Sequence, residues 1–282
     1  MMNPQKEPGV GKLPQWLKKL GFHSALNPAK TVKISAPIYK NTVDPHTLVR
    51  NSDEIVKFAI AQSEILSQEV KDNNFLLVLG GDCSLLIGSA LALKQNGTFG
   101  LFYLDGHTDY ITPQQSHTHG AAGMDLAISC GLGHPNLTNI KGCRPYFQEE
   151  HVFCVGNREY DEDYERPILE SNVHYFPLNK LRNLGIDQTI GEFFNMLEIN
   201  KLDGFFVHLD VDVLDNEIMP AVDSPQTDGL SYQELAKILE ALLSCEKAMG
   251  IEITILDPDL DPKGKYTQDF IKHIVPSLKK IS

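Results

Sequence analysis

The sequence predicts an α/β protein built on a mainly parallel, doubly wound sheet. Short apolar runs recur along nearly the whole chain, amphipathic stretches separate them, and acid-rich polar turns follow several runs at their carboxyl ends. Most of the runs are apolar on both faces, the pattern of strands buried on both sides rather than on one. Strand–helix alternation of this kind closes into right-handed βαβ units.

Taken in order, residues 1–19 are polar and punctuated by Pro and Gly, with no apolar core of a signal peptide. Residues 1–30 read as an irregular N-terminal extension of one domain spanning 1–282. The run 32–36 is β-type. Asn51 with Glu54 resembles a capping box ahead of apolar Ile55, Phe58, Ala59, Ile65 and Leu66. Further strands are expected at 75–79, Phe99–Leu104, Val152–Val155, 173–176, 205–209 and 251–256. Ser231 with Glu234 repeats the capping device ahead of Leu235, Ile238, Leu239 and Leu242, and a last helix is expected over 267–278. The long loops 105–120, 216–229 and 257–265 each adjoin a strand's carboxyl end, where open α/β sheets bind ligands. The acidic loop 257–263 reads as solvated, with a subunit contact as its alternative role.

Composition narrows the function. The chain has 282 residues, 42% hydrophobic and 22% charged, with a formal net charge of −12. That charge argues against nucleic acid and anionic membrane as partners, since both call for a basic face. It suits a small-molecule substrate, cationic or neutral. No apolar run approaches the roughly 20 residues of a membrane helix. The five cysteines, Cys83, Cys130, Cys143, Cys154 and Cys245, are odd in number and lack CxxC spacing, which reads as reduced thiols in a cytoplasmic protein.

The chemistry-bearing stretch is Leu104-Asp105-Gly106-His107-Thr108-Asp109, two carboxylates and an imidazole at alternate positions directly after an apolar run. Leu209-Asp210-Val211-Asp212 repeats the arrangement. On extended backbone, residues i and i+2 project from one face. Four aspartates and a histidine on one spot demand a counter-charge, and divalent metal, expected here as a pair of ions, supplies it. Gly80-Gly81-Asp82-Cys83-Ser84 and Ser116-His117-Thr118-His119-Gly120 also follow or adjoin strand ends. Alone, the first reads as a turn and helix cap, and His119 as a loop histidine. His208 is expected to pack on the opposite side of its strand from the acids. His134, His151, His174 and His273 have no ligand-spaced partners and read as structural or exposed.

Together, in this order and spacing, these segments resemble the ureohydrolase family of arginase, agmatinase and formiminoglutamase, from about Pro45 to Pro262. The family's motifs are a GGDH turn, a DAHxD strand end, an HG loop, and an SxDxD strand end followed by a proline-containing loop. Their counterparts here are Gly80-Gly81-Asp82-Cys83, Asp105 to Asp109, His119-Gly120, Leu209 to Asp212, and Met219-Pro220-Ala221-Val222-Asp223-Ser224-Pro225. Gly156-Asn157-Arg158-Glu159-Tyr160-Asp161 is similar to the family's Arg-Asp-x-Asp loop. The resemblance implies a three-layer α/β/α, arginase-like fold and a metal-dependent hydrolase of a linear C–N bond in a guanidino, amidino or formimino compound. It implies two Mn²⁺ per subunit, Asp105 and Asp210 bridging, His107 and Asp212 completing one ion's shell and Asp109 ligating the other. A metal-bound hydroxide would attack the substrate carbon, and His119 would move a proton to the leaving amine. Asp161 would contact the substrate, with His117 as a further pocket residue. Asp82 and Asp215 would support the ligands from behind. The family's trimers and hexamers imply a homo-oligomer.

Two departures qualify this resemblance. Cys83 stands where the family has a ligating histidine. Its thiolate would shift preference toward Zn²⁺, whereas a neutral buried thiol would leave that ion weak or absent, and both outcomes stay open. Ile255 stands where guanidine-cleaving members carry a glutamate, with Glu252 on the other parity of its strand and facing elsewhere. A planar cation without a carboxylate partner would be poorly held. Two alternatives follow: a metal-poor, non-catalytic arginase-like protein, and a single-metal amide hydrolase, similar to deacetylases, that uses Cys83.

Overall fold

The structure is a computed structural model that describes residues 9–38, 40, 42–159 and 161–279. Six strands form one sheet, β1 (Leu76–Leu79), β2 (Phe99–Leu104), β3 (Val152–Val155), β4 (His174–Phe176), β5 (Gly204–Asp210) and β6 (Ala248–Thr254). Their order is β1-β6-β5-β2-β3-β4 and every pairing is parallel. From β2 the chain winds outward to β3 and β4, and from β5 it winds the other way to β6. The β2/β5 junction is therefore the topological switch point.

Alternation along the strands assigns side chains to two cores. Phe102 and Leu104 of β2, with Phe205, Val207 and Leu209 of β5, face one core; Leu101 and Tyr103, with Phe206, face the other. The first is covered by the helices Leu13–Lys19, Ile186–Ile199, Tyr232–Leu243 and Lys265–Leu278, the second by Ser52–Lys71 and Leu85–Lys94. The result is the three-layer α/β/α arrangement. Phe193 stands edge-on to Phe102 and Phe205 at 5.1 Å and to Phe153 at 5.2 Å. Each such ring contributes about 1.5–3 kcal/mol by its burial.

Several local expectations change. Residues 32–36 form no strand, and Val32 is exposed, because the sheet's edges are β1 and β4 and no strand pairs with this run. Asn51 does not cap its helix with its side chain. Its backbone is left-handed, with φ 55°, and its side chain accepts from the Lys40 amide at 2.9 Å instead. The Ser231–Glu234 capping box is present in both directions. The amino-terminal segment is not irregular where it is described: Leu13–Lys19 and Phe22–Leu26 are helical and bury Leu13, Leu17 and Phe22 in the first core. Residues 1–8 lie outside the described residues. Within the 257–263 loop, Asp261 is buried and accepts from the Thr267 amide and hydroxyl, so that acid caps the last helix rather than facing solvent. No helix among the described residues is long and apolar enough to cross a membrane.

Candidate metal centre

In the ladder Leu104 pairs with Leu209, so Asp105 and Asp210 emerge side by side at the switch point. Neither acid segment continues as extended chain. Asp105 Oδ1 accepts from the His107 amide at 2.6 Å, and Asp210 Oδ1 from the Asp212 amide at 2.7 Å. These twin side-chain turns curl both strand ends inward. They bring donor atoms of Asp105, His107 and Asp212 within 4.8 Å of one another. His107 Nδ1 is 3.0 Å from Asp212 Oδ2 and 3.7 Å from Asp105 Oδ1.

The two ends are bound directly. The Gly106 amide donates to Asp212 Oδ1 at 2.9 Å, and a Cβ at Gly106 would lie 2.8 Å from that oxygen. The turn after β3 fastens both from the side. Asn157 Nδ2 donates to the carbonyls of Asp105 (3.0 Å) and His107, while the Arg158 amide donates to Gly106 O at 2.7 Å. Arg158 Nη2 donates to Asp212 O at 2.8 Å and Nη1 to Val213 O at 3.1 Å. Asn157 and Arg158 are both buried. In this loop sequence similarity points to Asp161, whereas Asn157 and Arg158 make the contacts. Their side chains act on backbone carbonyls, contacts that leave no pattern in sequence.

The electrostatics of this cluster call for a cation. Burial, and then Asp212, push the Asp105 carboxyl above the usual range. Burial and Asp105 raise Asp109 well above it, and burial and Asp212 do the same to Asp210. Asp125, behind them, is raised by burial and by Asp109. The Tyr103 hydroxyl stands 3.2 Å from Asp109 Oδ2 and 3.1 Å from Asp125 Oδ1. Burial also pushes Asp212 up, but His107 and the Gly106 amide outweigh it and hold that carboxyl low. Burial opposes charge on His107, yet Asp212 and Asp105 raise its pKa well above the ordinary value. Asp105 Oδ2 is buried with no hydrogen-bond partner among the described residues. Crowded carboxylates and an unpartnered oxygen fit a divalent ion.

Cys83 is buried beside these acids, its Sγ 2.9 Å from Asp210 Oδ2 and 3.3 Å from Thr254 Oγ1. Burial and then Asp210 push its thiol up. His208 does not pack away from the acids as expected. It shares the parity of Asp210, two residues on, and one of its ring nitrogens lies within 4.8 Å of donor atoms of Cys83 and Asp105. Its Nδ1 is 2.7 Å from Glu252 Oε1. Counting from Asp210 rather than from Leu209 would have found it.

The remaining expected residues are held by local contacts in the flanking loops. His119 has φ 56°, its amide donates to Ser116 Oγ at 3.0 Å, and its Nδ1 is 2.9 Å from the Leu48 carbonyl. The His117 amide donates to the Tyr164 hydroxyl at 3.0 Å, and Thr108 Oγ1 donates to the Tyr164 carbonyl at 3.4 Å. Asp161 is exposed and caps the helix Glu162–Leu169 through the Asp163 amide at 2.9 Å. Tyr160 lies outside the described residues. Asp82 accepts from the Ser84 amide at 3.1 Å and so shapes the turn that carries Cys83. Asp215 accepts from the amides of Glu217 (2.8 Å) and Gly229 (3.0 Å), closing the loop after β5. Ile255 is buried with φ 72°, an uncommon backbone for a β-branched side chain.

The profile of the arginase family matches residues 24–279. Over 224 residues, 77% of this chain and 75% of the relative, the sequence is 33% identical to the arginase of Bacillus subtilis. A solved arginase structure from Bacillus subtilis superposes with a TM-score of 0.84 at 28% identity, covering 98% of this chain and 93% of that one. The formimidoylglutamase of Bacillus subtilis, at 21% identity and a TM-score of 0.73 over 100% of this chain and 84% of that one, shares the fold. With the profile spanning nearly the whole chain and the acid-bearing strand ends at the switch point, this protein belongs to the arginase family, hydrolases acting on the C–N bonds of linear amidines.

Proposed function

We propose that this chain is a metal-dependent hydrolase that cleaves a linear C–N bond in a small guanidino, amidino or formimino compound. The observation that carries the reading is the convergence of Asp105, His107 and Asp212 at the β2/β5 switch point. Asp105, His107, Asp109, Asp210 and Asp212 would hold a pair of ions, with Mn²⁺ favoured by the oxygen-rich part of the set. When bound, such ions supply Lewis-acid activation of water at neutral pH.

The chain's own groups position and move protons. The Leu48 carbonyl accepts from His119 Nδ1, which assigns the proton to that nitrogen and leaves Nε2 to exchange one with the leaving amine. Asp161 and His117 would contact the substrate. Asn157 and Arg158 hold the strand ends that carry the acids, and Asp82 and Asp215 shape the flanking turns. With Ile255 offering no carboxylate, recognition of the reacting group cannot rest on a salt bridge there. That favours a neutral or differently oriented amidine over an arginine-like guanidinium. The whole chain, 1–282, acts as one domain in this reading, in a cytoplasmic homo-oligomer.

Protein reconstituted with Mn²⁺ and offered guanidino, formimino and amide compounds should release urea, ammonia or formamide. Silence across such a panel with ions bound would overturn the assignment.

A further inference from the structure

Resting on the metal-centre reading, we propose that one of its ions is held by a thiolate–imidazole site, Cys83–Asp105–His208, which selects a soft divalent ion of the Zn²⁺ or Co²⁺ class. Donor atoms of these three side chains lie within 4.8 Å of one another, and all three residues are buried. They come from three elements: the turn after β1, the end of β2, and β5.

The independent observation is His208 itself. It is 0% exposed, and its Nε2 has no hydrogen-bond partner among the described residues. An orphaned imidazole nitrogen in a dry interior is costly unless something binds it. Its other nitrogen is fully engaged. Nδ1 lies 2.7 Å from Glu252 Oε1, and Glu252 Oε2 accepts from Ser89 Oγ at 2.7 Å. Ser89 in turn accepts from Gln62 Nε2 at 2.9 Å. The Tyr103 ring stacks on the imidazole at 4.4 Å with the planes 6° apart, fixing its orientation. A carboxylate behind one imidazole nitrogen fixes the tautomer and raises the basicity of the other, the arrangement found behind metal-ligating histidines. Glu252 is thus a positioning residue, with His208 Nε2 as the ligand it prepares.

Two departures from the motifs given above fall on this one spot. Cys83 replaces the histidine of GGDH, and His208 stands in the serine position of SxDxD. An imidazole is lost on the turn after β1 and another appears on β5, beside the sulfur. The ligand set changes from imidazole and oxygen to sulfur, imidazole and oxygen, which favours Zn²⁺ and Co²⁺ over Mn²⁺. Binding releases the thiol proton to solvent, leaving a thiolate–metal bond.

Full-length protein stripped of metal and titrated with Co²⁺ tests this by absorption. The wild type should develop an intense near-ultraviolet thiolate-to-cobalt band, and Cys83→Ser should lack it. Glu252→Gln should keep the band but weaken Co²⁺ and Zn²⁺ binding about 10–100-fold, and His208→Gln should weaken it more. Cys83→His combined with His208→Ser should lose the band and gain preference for Mn²⁺ over Zn²⁺ relative to the wild type. Wild-type protein that takes up two cobalt ions without a thiolate band would overturn the Cys83–His208 site while leaving the metal centre intact. Undiminished affinity in a folded His208→Gln, checked by circular dichroism, would overturn it as well. Failure to bind any ion would overturn both.

Discussion

The Gly106 amide donates to Asp212 Oδ1 across 2.9 Å, tying the end of β2 to the turn after β5. The contact leaves no space for a side chain, because a Cβ at Gly106 would also lie 3.0 Å from Asp212 O and 3.1 Å from Arg158 Nη2. Gly106→Ala should therefore cost about 1–3 kcal/mol by overpacking and push Asp212 off its partners. Thermal unfolding should report the first effect and reduced metal content the second.

His119 is held by the Leu48 carbonyl and by the Ser116 hydroxyl. His119→Ala should lower kcat by about a hundred- to ten-thousandfold while metal stoichiometry stays at the wild-type value. Steady-state kinetics alongside elemental analysis separate a proton-transfer role from a ligand role.

Phe193 is the hub of the aromatic contacts on one face of the sheet, meeting Phe102, Phe153 and Phe205. Phe193→Ala should destabilise by about 3–5 kcal/mol, read as a lower denaturant midpoint. Its ring contacts fall on Phe102, Phe153 and Phe205 and on none of the acids, so surviving folded protein should bind metal normally.

Glu234 links acid sensitivity to the capping box. Burial pushes its carboxyl up, but the Arg182 guanidinium and the Ser231 donors outweigh this and hold it below its usual 4.5. A lowered folded-state pKa contributes stability above 4.5 that is lost as pH falls through the folded value. Melting temperatures of wild type and Glu234→Gln should differ most near neutral pH and converge in acid. A gap that widens on acidification would have the wrong sign. Because Glu234 is only partly buried, solvent screening damps the effect.

Much of the fold was legible because buried parallel strands are apolar on both faces. β2 and β3 begin and end where the sequence predicts, β5 (Gly204–Asp210) extends the expected run at both ends, and β6 (Ala248–Thr254) begins before the expected 251 and stops short of the expected 256. The run 32–36 carries the same local signal but finds no edge to pair with, which composition cannot report. The acids were found from spacing, though the force that gathers them is a pair of side-chain turns rather than continued strand. His208 was misplaced, since its role depends on Glu252 from a neighbouring strand, forty-four positions away. Arg158 acts through backbone carbonyls, contacts that leave no pattern in sequence.

Counting ions tests the metal centre most directly. Wild-type protein and Asp105→Asn, each equilibrated with Mn²⁺ or Zn²⁺ and freed of excess, can be compared by elemental mass spectrometry per chain. Two ions per wild-type chain, with at least one lost in the variant, is the result expected from Asp105 standing between both donor groups. A wild-type chain that retains no ion, or a folded variant that retains as many, would contradict it.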